Sequence, residues 1–154
     1  MARPQERRSI AVNRKARHLY HLLDELECGI QLRGTEVKSL RAGHCSLQEA
    51  YGRLRRGELY LVGATIPVYS HGNVHNHEPA RERKLLAHRR ELAKWEQAVK
   101  EKGTTIVPLE IYFQKSLVKV TLALARGKKL FDKREDQKAR DAKRDIDREL
   151  TRRR

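Results

Sequence analysis

Cysteine is nearly absent from this chain. Cys28 and Cys45 are the only two, and no C-x-x-C pair occurs, which excludes a thiolate zinc ribbon and a disulfide framework. They read as reduced thiols of the core or surface. Long apolar runs are missing too. No window approaches the roughly 18 uncharged apolar residues of a membrane span, and residues 1–12 are polar and basic, without the apolar stretch of a signal peptide. A cytosolic address is expected. Catalytic signatures are equally scarce: the sequence holds no G-x-S-x-G, no G-x-x-x-x-G-K-[ST] and no H-E-x-x-H, so an enzyme is not the leading reading. Cys45 beside His44 could form a nucleophile and base pair, but sequence neighbours seldom make that geometry.

Negative charge is in deficit as well. Against 35 Lys and Arg stand 20 Asp and Glu in 154 residues, a net charge of +15. Such a field repels itself unless a polyanion uses it, so a phosphate backbone is the natural partner. A membrane surface would favour the charge on one amphipathic helix, whereas here it is spread along the chain. With 38% hydrophobic and 36% charged residues, there is material for one modest core and for segments outside it.

Strand periodicity organises the middle of the chain. Leu26, Cys28, Ile30 and Leu32 alternate. Segments 47–55 and 58–66 read as a hairpin about Arg56-Gly57, with Leu59, Leu61 and Gly63 on one face, and Pro67 ends it. Val107, Leu109, Ile111 and Phe113 alternate, as do Val118, Val120, Leu122 and Leu124, across a turn at 114–116. One short helix is predicted after Gly34, with Thr35 as N-cap, Glu36 in its first turn, Val37 and Leu40 facing inward and Gly43 as its stop. A second is predicted over 88–102, with Leu92, Trp95 and Val99 on one side. The fold class is mainly β with helices (α+β): a small antiparallel OB-like barrel with flanking helices and a basic C-terminal tail. The expected division is a basic segment 1–9, a barrel domain 10–126 and a tail 127–154.

The loop over 68–79 is long enough to carry function. His71, His75 and His77 invite a zinc reading, but no cysteine or carboxylate completes a ligand pattern, and an RNA-facing or solvated loop is the simpler account. After Arg126 apolar residues become sparse. Ala139, Ala142, Ile146 and Leu150 still fall on one helical face, and Asp136 with Arg140 and Lys143 with Asp147 are i,i+4 pairs. The tail is expected to be disordered when free and helical on a partner. Phe131, between Lys128-Lys129 and Lys133-Arg134, suits base stacking, with docking onto the barrel as the alternative. Glu27 lies on the outward face of its strand, as a solvated residue or as an acceptor for a base edge or a positioning Arg. Leu85-Leu86 reads as core, or as a surface for an unstacked base.

Several motifs, taken in order, resemble one family. Asn13-Arg14-Lys15-Ala16-Arg17-His18 is followed by Gly34-Thr35-Glu36-Val37-Lys38-Ser39-Leu40-Arg41-Ala42-Gly43. Arg83-Lys84-Leu85-Leu86 precedes His88-Arg89-Arg90-Glu91, with Pro108-Leu109 and Tyr112-Phe113 beyond it. Ala125-Arg126-Gly127-Lys128-Lys129 then leads to Asp132-Lys133-Arg134. Together they resemble the SsrA-binding protein (SmpB) family over 10–145.

The resemblance implies an OB-like barrel that binds the tRNA-like domain of transfer-messenger RNA and brings it to stalled bacterial ribosomes with elongation factor Tu. It implies no enzyme, cofactor or metal, and neither membrane nor DNA as partner. It places RNA binding on Asn13, Glu27 and Leu86, with Lys15, Arg17, Arg41, Arg83 and Lys84 as phosphate contacts. It assigns Gly127, Lys128, Lys129, Asp132, Lys133 and Arg134 to the segment that engages the decoding centre and the empty messenger channel. Phe131 there replaces the usual Tyr or His, keeping the stacking face without its polar atom. The turn at 114–116 lacks the family's glycine, and Cys28 replaces the more usual Ala. A general ribosome-associated RNA-binding protein or RNA chaperone is the alternative, and a nuclease is a third, disfavoured class because no carboxylate cluster is present.

Overall fold

In a computed structural model, which describes residues 7–69, 76–101, 103–128 and 130–152, the chain begins with β1 (Arg7–Val12), α1 (Ala16–Leu19), β2 (Tyr20–Ile30) and α2 (Gly34–Arg41). It continues through β3 (Tyr51–Arg55), β4 (Glu58–Val62), β5 (Arg83–Leu86), α3 (Arg89–Val99), β6 (Thr104–Gln114), β7 (Leu117–Gly127) and α4 (Leu130–Arg152). Strands pair in the order β6, β3, β4, β5, β2, β7, and β7 pairs back onto β6. All these pairings are antiparallel. The result is the antiparallel barrel that the alternating hydrophobicity predicts, closed, with an additional strand β1 laid along the C-terminal half of β6. Closure removes free sheet edges from the ring.

The ring closes at a narrow point. β3 meets β6 through one register pair, Gly52 with Ile106. A Cβ on Gly52 would stand 2.4 Å from Ile106 Cγ2, so only glycine admits this approach. Leu26, Cys28, Leu59, Leu61, Val120, Leu122 and Leu124 fill the interior, joined by Leu40 of α2 and Trp95 of α3. Trp95 satisfies its one polar atom by donating to Asp24 Oδ2 at 3.0 Å. Leu92 and Val99 pack beside it, half-buried.

Two bulges divide the barrel wall. The register of β6 shifts between Pro108 and Glu110, and that of β2 between Leu22 and Asp24. An inserted residue reverses which face later side chains take. Val107 and Leu109 therefore do not share a face with Ile111 and Phe113, contrary to the unbroken alternation. With Ala123, Ala125 and Ala16 they form a second buried cluster, with Tyr20 and Leu22 packed against it. Helix α1, which supplies Ala16, lies over the outer wall there.

Other boundaries depart from the sequence reading. β1 starts at Arg7, inside the segment 1–9 set apart from the barrel, because backbone pairing with β6 holds polar Arg7, Arg8 and Ser9 without any apolar signal. β4 ends at Val62, so Gly63 is not on the Leu59 and Leu61 face and takes a left-handed φ of 81° instead. The N-cap of α2 is Arg33, not Thr35. Glu36 supplies the cap by accepting the Arg33 N–H at 2.8 Å, which frees the Thr35 hydroxyl for His77 Nδ1 at 2.9 Å. The Arg56-Gly57 turn forms as expected, both residues at positive φ. In the second hairpin the glycine-less turn is met by Lys115 at φ 56°. The tail forms helix α4, with Ile146 and Leu150 exposed. Among the described residues no helix is long and apolar enough to cross a membrane.

Candidate nucleic-acid interface

Outside the barrel, beyond the patch that α1 covers, β2, β6 and β7 present a polar strip. Antiparallel register sets Glu27 opposite Thr121, and Tyr112 opposite Lys119. The Tyr112 hydroxyl donates to Glu27 Oε2, and Lys119 Nζ lies 3.0 Å from Oε1. These two donors, Tyr112 first, hold the Glu27 carboxyl below its ordinary value. Burial, followed by the bond to Glu27, pushes the Tyr112 phenol up to about 12. Tyr112 is fully buried because Arg7 lies over its ring, 3.9 Å from the centroid. Arg7 is held in turn by Glu110 at 3.1 Å. Glu27 is therefore an exposed, ionised and oriented acceptor, with lone pairs left for an incoming donor.

Asn13 stands on the same side. Its backbone N–H donates to Leu109 O at 2.7 Å and its Nδ2 to Pro108 O at 3.0 Å. Its carboxamide oxygen is thereby turned away from the barrel's own carbonyls. Asn13, Arg14, Arg17, Glu25 and Arg7 line one open pocket of about 460 Å3. Arg17 lies 3.8 Å from Glu25, both well exposed, a pair too solvated to hold the guanidinium back from a phosphate. Lys15, at the N-cap of α1, and Arg41, at the end of α2, are exposed as well.

Leu86 and Lys84 belong to a neighbouring surface. β5 pairs with β2 at Gly29 and Leu86, and a Cβ on Gly29 would lie 3.5 Å from that of Leu86. Leu86 is 47% exposed, as a base-packing surface requires. Leu85 is the core member of the pair, at 2%. Lys84 is half-buried and tied to Glu58 at 3.0 Å.

Arg83 is a correction. Its guanidinium is fully buried. Nε donates to Glu36, Nη1 to Ala64 O at 3.0 Å and Arg81 O at 2.9 Å, and Nη2 to Pro79 O at 3.0 Å. It is committed to holding the chain on either side of the 68–79 loop against α2 and has no surface to offer a phosphate.

Of the three histidines, His71 and His75 lie outside the described residues. His77 is buried, with Nε2 2.7 Å from Ile66 O and Nδ1 on Thr35. Both ring nitrogens serve the fold. Burial pushes the Cys45 thiol up to about 11, so it is no thiolate near neutral pH, and His44 beside it is exposed.

The tail starts from a fixed point. Gly127 pairs with Tyr20. The Lys128 N–H donates to Leu19 O, and its Nζ to Arg17 O, each at 2.9 Å. Lys129 and the side chains of Phe131, Asp132 and Lys133 lie outside the described residues, and Arg134 is exposed on α4. The sequence reading missed Arg7, Arg14, Tyr112 and Lys119. The two-residue turn of the second hairpin already sets Tyr112 against Lys119. Nothing local brings Glu27 to them.

The SmpB family model, described as SmpB protein, matches residues 10–152. An SsrA-binding protein of Pelotomaculum thermopropionicum is 50% identical over 141 residues, covering 92% of either chain. One from Acetivibrio thermocellus is 51% identical over 146 residues and covers 95% of either chain. One from Corynebacterium jeikeium is 53% identical over 144 residues, covering 94% of this chain and 78% of that one. A solved structure described as "tmRNA-SmpB: a journey to the center of the bacterial ribosome" is similar at a TM-score of 0.66 and 49% identity, covering 78% of this chain and 85% of its own.

Proposed function

The chain belongs to the SmpB family, and we propose that it binds the tRNA-like domain of transfer-messenger RNA and carries it to stalled ribosomes for trans-translation. The observation that carries this reading is the outer wall of the barrel. There Asn13, Arg14 and Arg17 share a pocket, beside a Glu27 carboxylate fixed by Tyr112 and Lys119. Cations supply affinity, and an oriented acceptor and carboxamide select shape. Lys15, Arg41 and Lys84 extend the phosphate contacts, and Leu86 offers an apolar surface to an unstacked base. The protein acts by binding, in the cytoplasm, with elongation factor Tu as its partner in delivery.

The tail from Gly127 engages the decoding centre and the empty messenger channel, through Lys128, Lys129, Phe131, Asp132, Lys133 and Arg134. On the ribosome it acts as a helix, the form α4 already takes here. In support, Ile146 and Leu150 of α4 remain 61% and 60% exposed, an apolar stripe that only a partner covers.

The test is binding of the purified protein to the tRNA-like domain, a tRNA and an unrelated hairpin while salt is raised. Preference for the tRNA-like domain that persists at physiological salt is the expected result. Equal affinities that decay together would reduce the protein to a general RNA chaperone.

A further inference from the structure

A second concentration of positive charge lies where β1, the end of α2 and the β6–β7 turn meet. Arg7, Arg8, Arg41 and Lys115 line an open pocket of about 480 Å3 with Phe113 and Ser116. Among the described residues no carboxylate lines it. Arg7 is partly engaged by Glu110, but among the described residues Arg8, Arg41 and Lys115 have no carboxylate partner. All three are exposed. Arg8 Nη2 donates to the Arg41 main-chain carbonyl at 3.0 Å, which holds the Arg8 guanidinium at the end of α2. Lys115 reaches the pocket from a left-handed backbone, φ 56°, a conformation that glycine adopts without strain and lysine does not. The chain thus gathers like charges at a cost in repulsion, which a bound anion would offset.

The geometry points to a phosphate-binding site for an RNA backbone formed by Arg8, Arg41 and Lys115. Phe113 is its floor, and Arg7 joins it to the Asn13 and Arg17 pocket, whose wall Arg7 also forms. The inference rests on the reading above only in that the chain binds RNA. A backbone leaving the Glu27 face would pass Arg7 and continue onto these cations. The phosphates belong either to the transfer-messenger RNA or to ribosomal RNA, and one experiment separates the two.

Salt titrations of binding are measured for the full-length protein and for the triple variant R8Q/R41Q/K115Q, against the tRNA-like domain in one arm and purified ribosomes in the other. Each phosphate contact contributes about 0.7 to 0.9 to the slope of log affinity on log salt. The variant slope is therefore expected to be shallower by about 2 to 3 in one arm, and that arm identifies the RNA. Unchanged slopes in both arms overturn the site. Should the triple variant unfold, K115G removes one charge while suiting the turn, and alone should lower the slope by just under 1. A wild-type protein without preference for the tRNA-like domain would sink the rescue reading and leave this slope comparison intact.

Discussion

Arg83 and Glu36, 47 positions apart in the chain, meet as an ion pair with neither side chain exposed to solvent. Arg81 donates to the other carboxylate oxygen, so α2 is tied to the strand end at β5 by one carboxylate and two guanidinium groups. Every remaining Arg83 nitrogen finds a backbone carbonyl. A pair taken this far from water holds only when its hydrogen bonds are complete, and removing one partner strands the other. Arg83→Ala should therefore cost about 3 to 5 kcal/mol, a large share of a small domain's stability. Urea unfolding checks this. A variant of wild-type stability with weakened RNA binding would return Arg83 to the phosphate contacts.

Acid should act on the same cluster. Burial pushes the Glu36 carboxyl up, but the bonds from Arg81, the Arg33 N–H and Arg83 outweigh it and hold the group below its ordinary 4.5. A carboxyl lowered in the folded state stabilises fully above its unfolded value, and that contribution is lost as pH falls through the lowered folded value. Glu36→Gln should thus be much less stable than wild type near neutrality. The gap should narrow as pH drops below about 4.5, seen in urea midpoints from about pH 7 to about pH 3. A constant gap across that window refutes the linkage.

These elements also mark what the sequence could and could not disclose. The hairpins were legible because a two-residue turn and strict alternation fix register locally, as Arg56-Gly57 does for β3 and β4. Bulges were not, because Leu23 and Leu109 continue an apolar pattern while the backbone switches face. Arg7, Arg8 and Ser9 of β1 are polar residues held by backbone pairing with β6, so period-two hydrophobicity gave no sign of them. Arg83 was misplaced for a related reason. A buried cation paired across 47 positions has the same letter as a surface one, and only the meeting of β5 with α2 distinguishes them. Asn13, Glu27 and Leu86 are candidates that the family pattern names, whereas Arg7 and Tyr112 join them only through tertiary closure.

Barrel closure gives a third expectation. Because a Cβ at Gly52 would lie 2.4 Å from Ile106 Cγ2 and 2.8 Å from its Cβ, Gly52→Ala must displace a core side chain or part β3 from β6. Overpacking of this kind costs about 1 to 3 kcal/mol. Gly52→Ala with Ile106→Ala, which removes the Cγ2 methyl in its way, should lose less stability than the two single variants summed. A single variant as stable as wild type would mean that the seam between β3 and β6 is not the tight point of the ring.

Tyr112→Phe isolates the orientation of Glu27. It keeps the ring under Arg7 and removes only the hydroxyl that donates to the carboxylate. A lost hydrogen bond to a charged acceptor costs about 1 to 3 kcal/mol. With Tyr112 silent, the Glu27 carboxyl should move up toward its ordinary 4.5, visible in an NMR titration of the side-chain carboxyl. Affinity for the tRNA-like domain should fall in parallel, because an unfixed carboxylate loses its geometric preference before its charge. An unmoved titration would show that Lys119 alone holds the group.

The tail offers the sharpest division of labour. Lys128 closes the barrel's last strand onto α1 through Leu19 O and Arg17 O, so a chain ending after Lys128 keeps both anchors and loses α4. In the described residues α4 reaches back through Arg140, whose Nη2 donates to His18 Nδ1 at 3.4 Å. An exposed contact of that length is too weak to hold the Asn13 and Glu27 face in shape. The truncated protein should therefore unfold at the same denaturant concentration and bind the tRNA-like domain with nearly wild-type affinity. On stalled ribosomes it should fail to support peptide tagging, since it lacks the helix proposed to enter the messenger channel. Retained tagging would confine the rescue function to the barrel, and lost RNA binding would make α4 part of the transfer-messenger RNA interface.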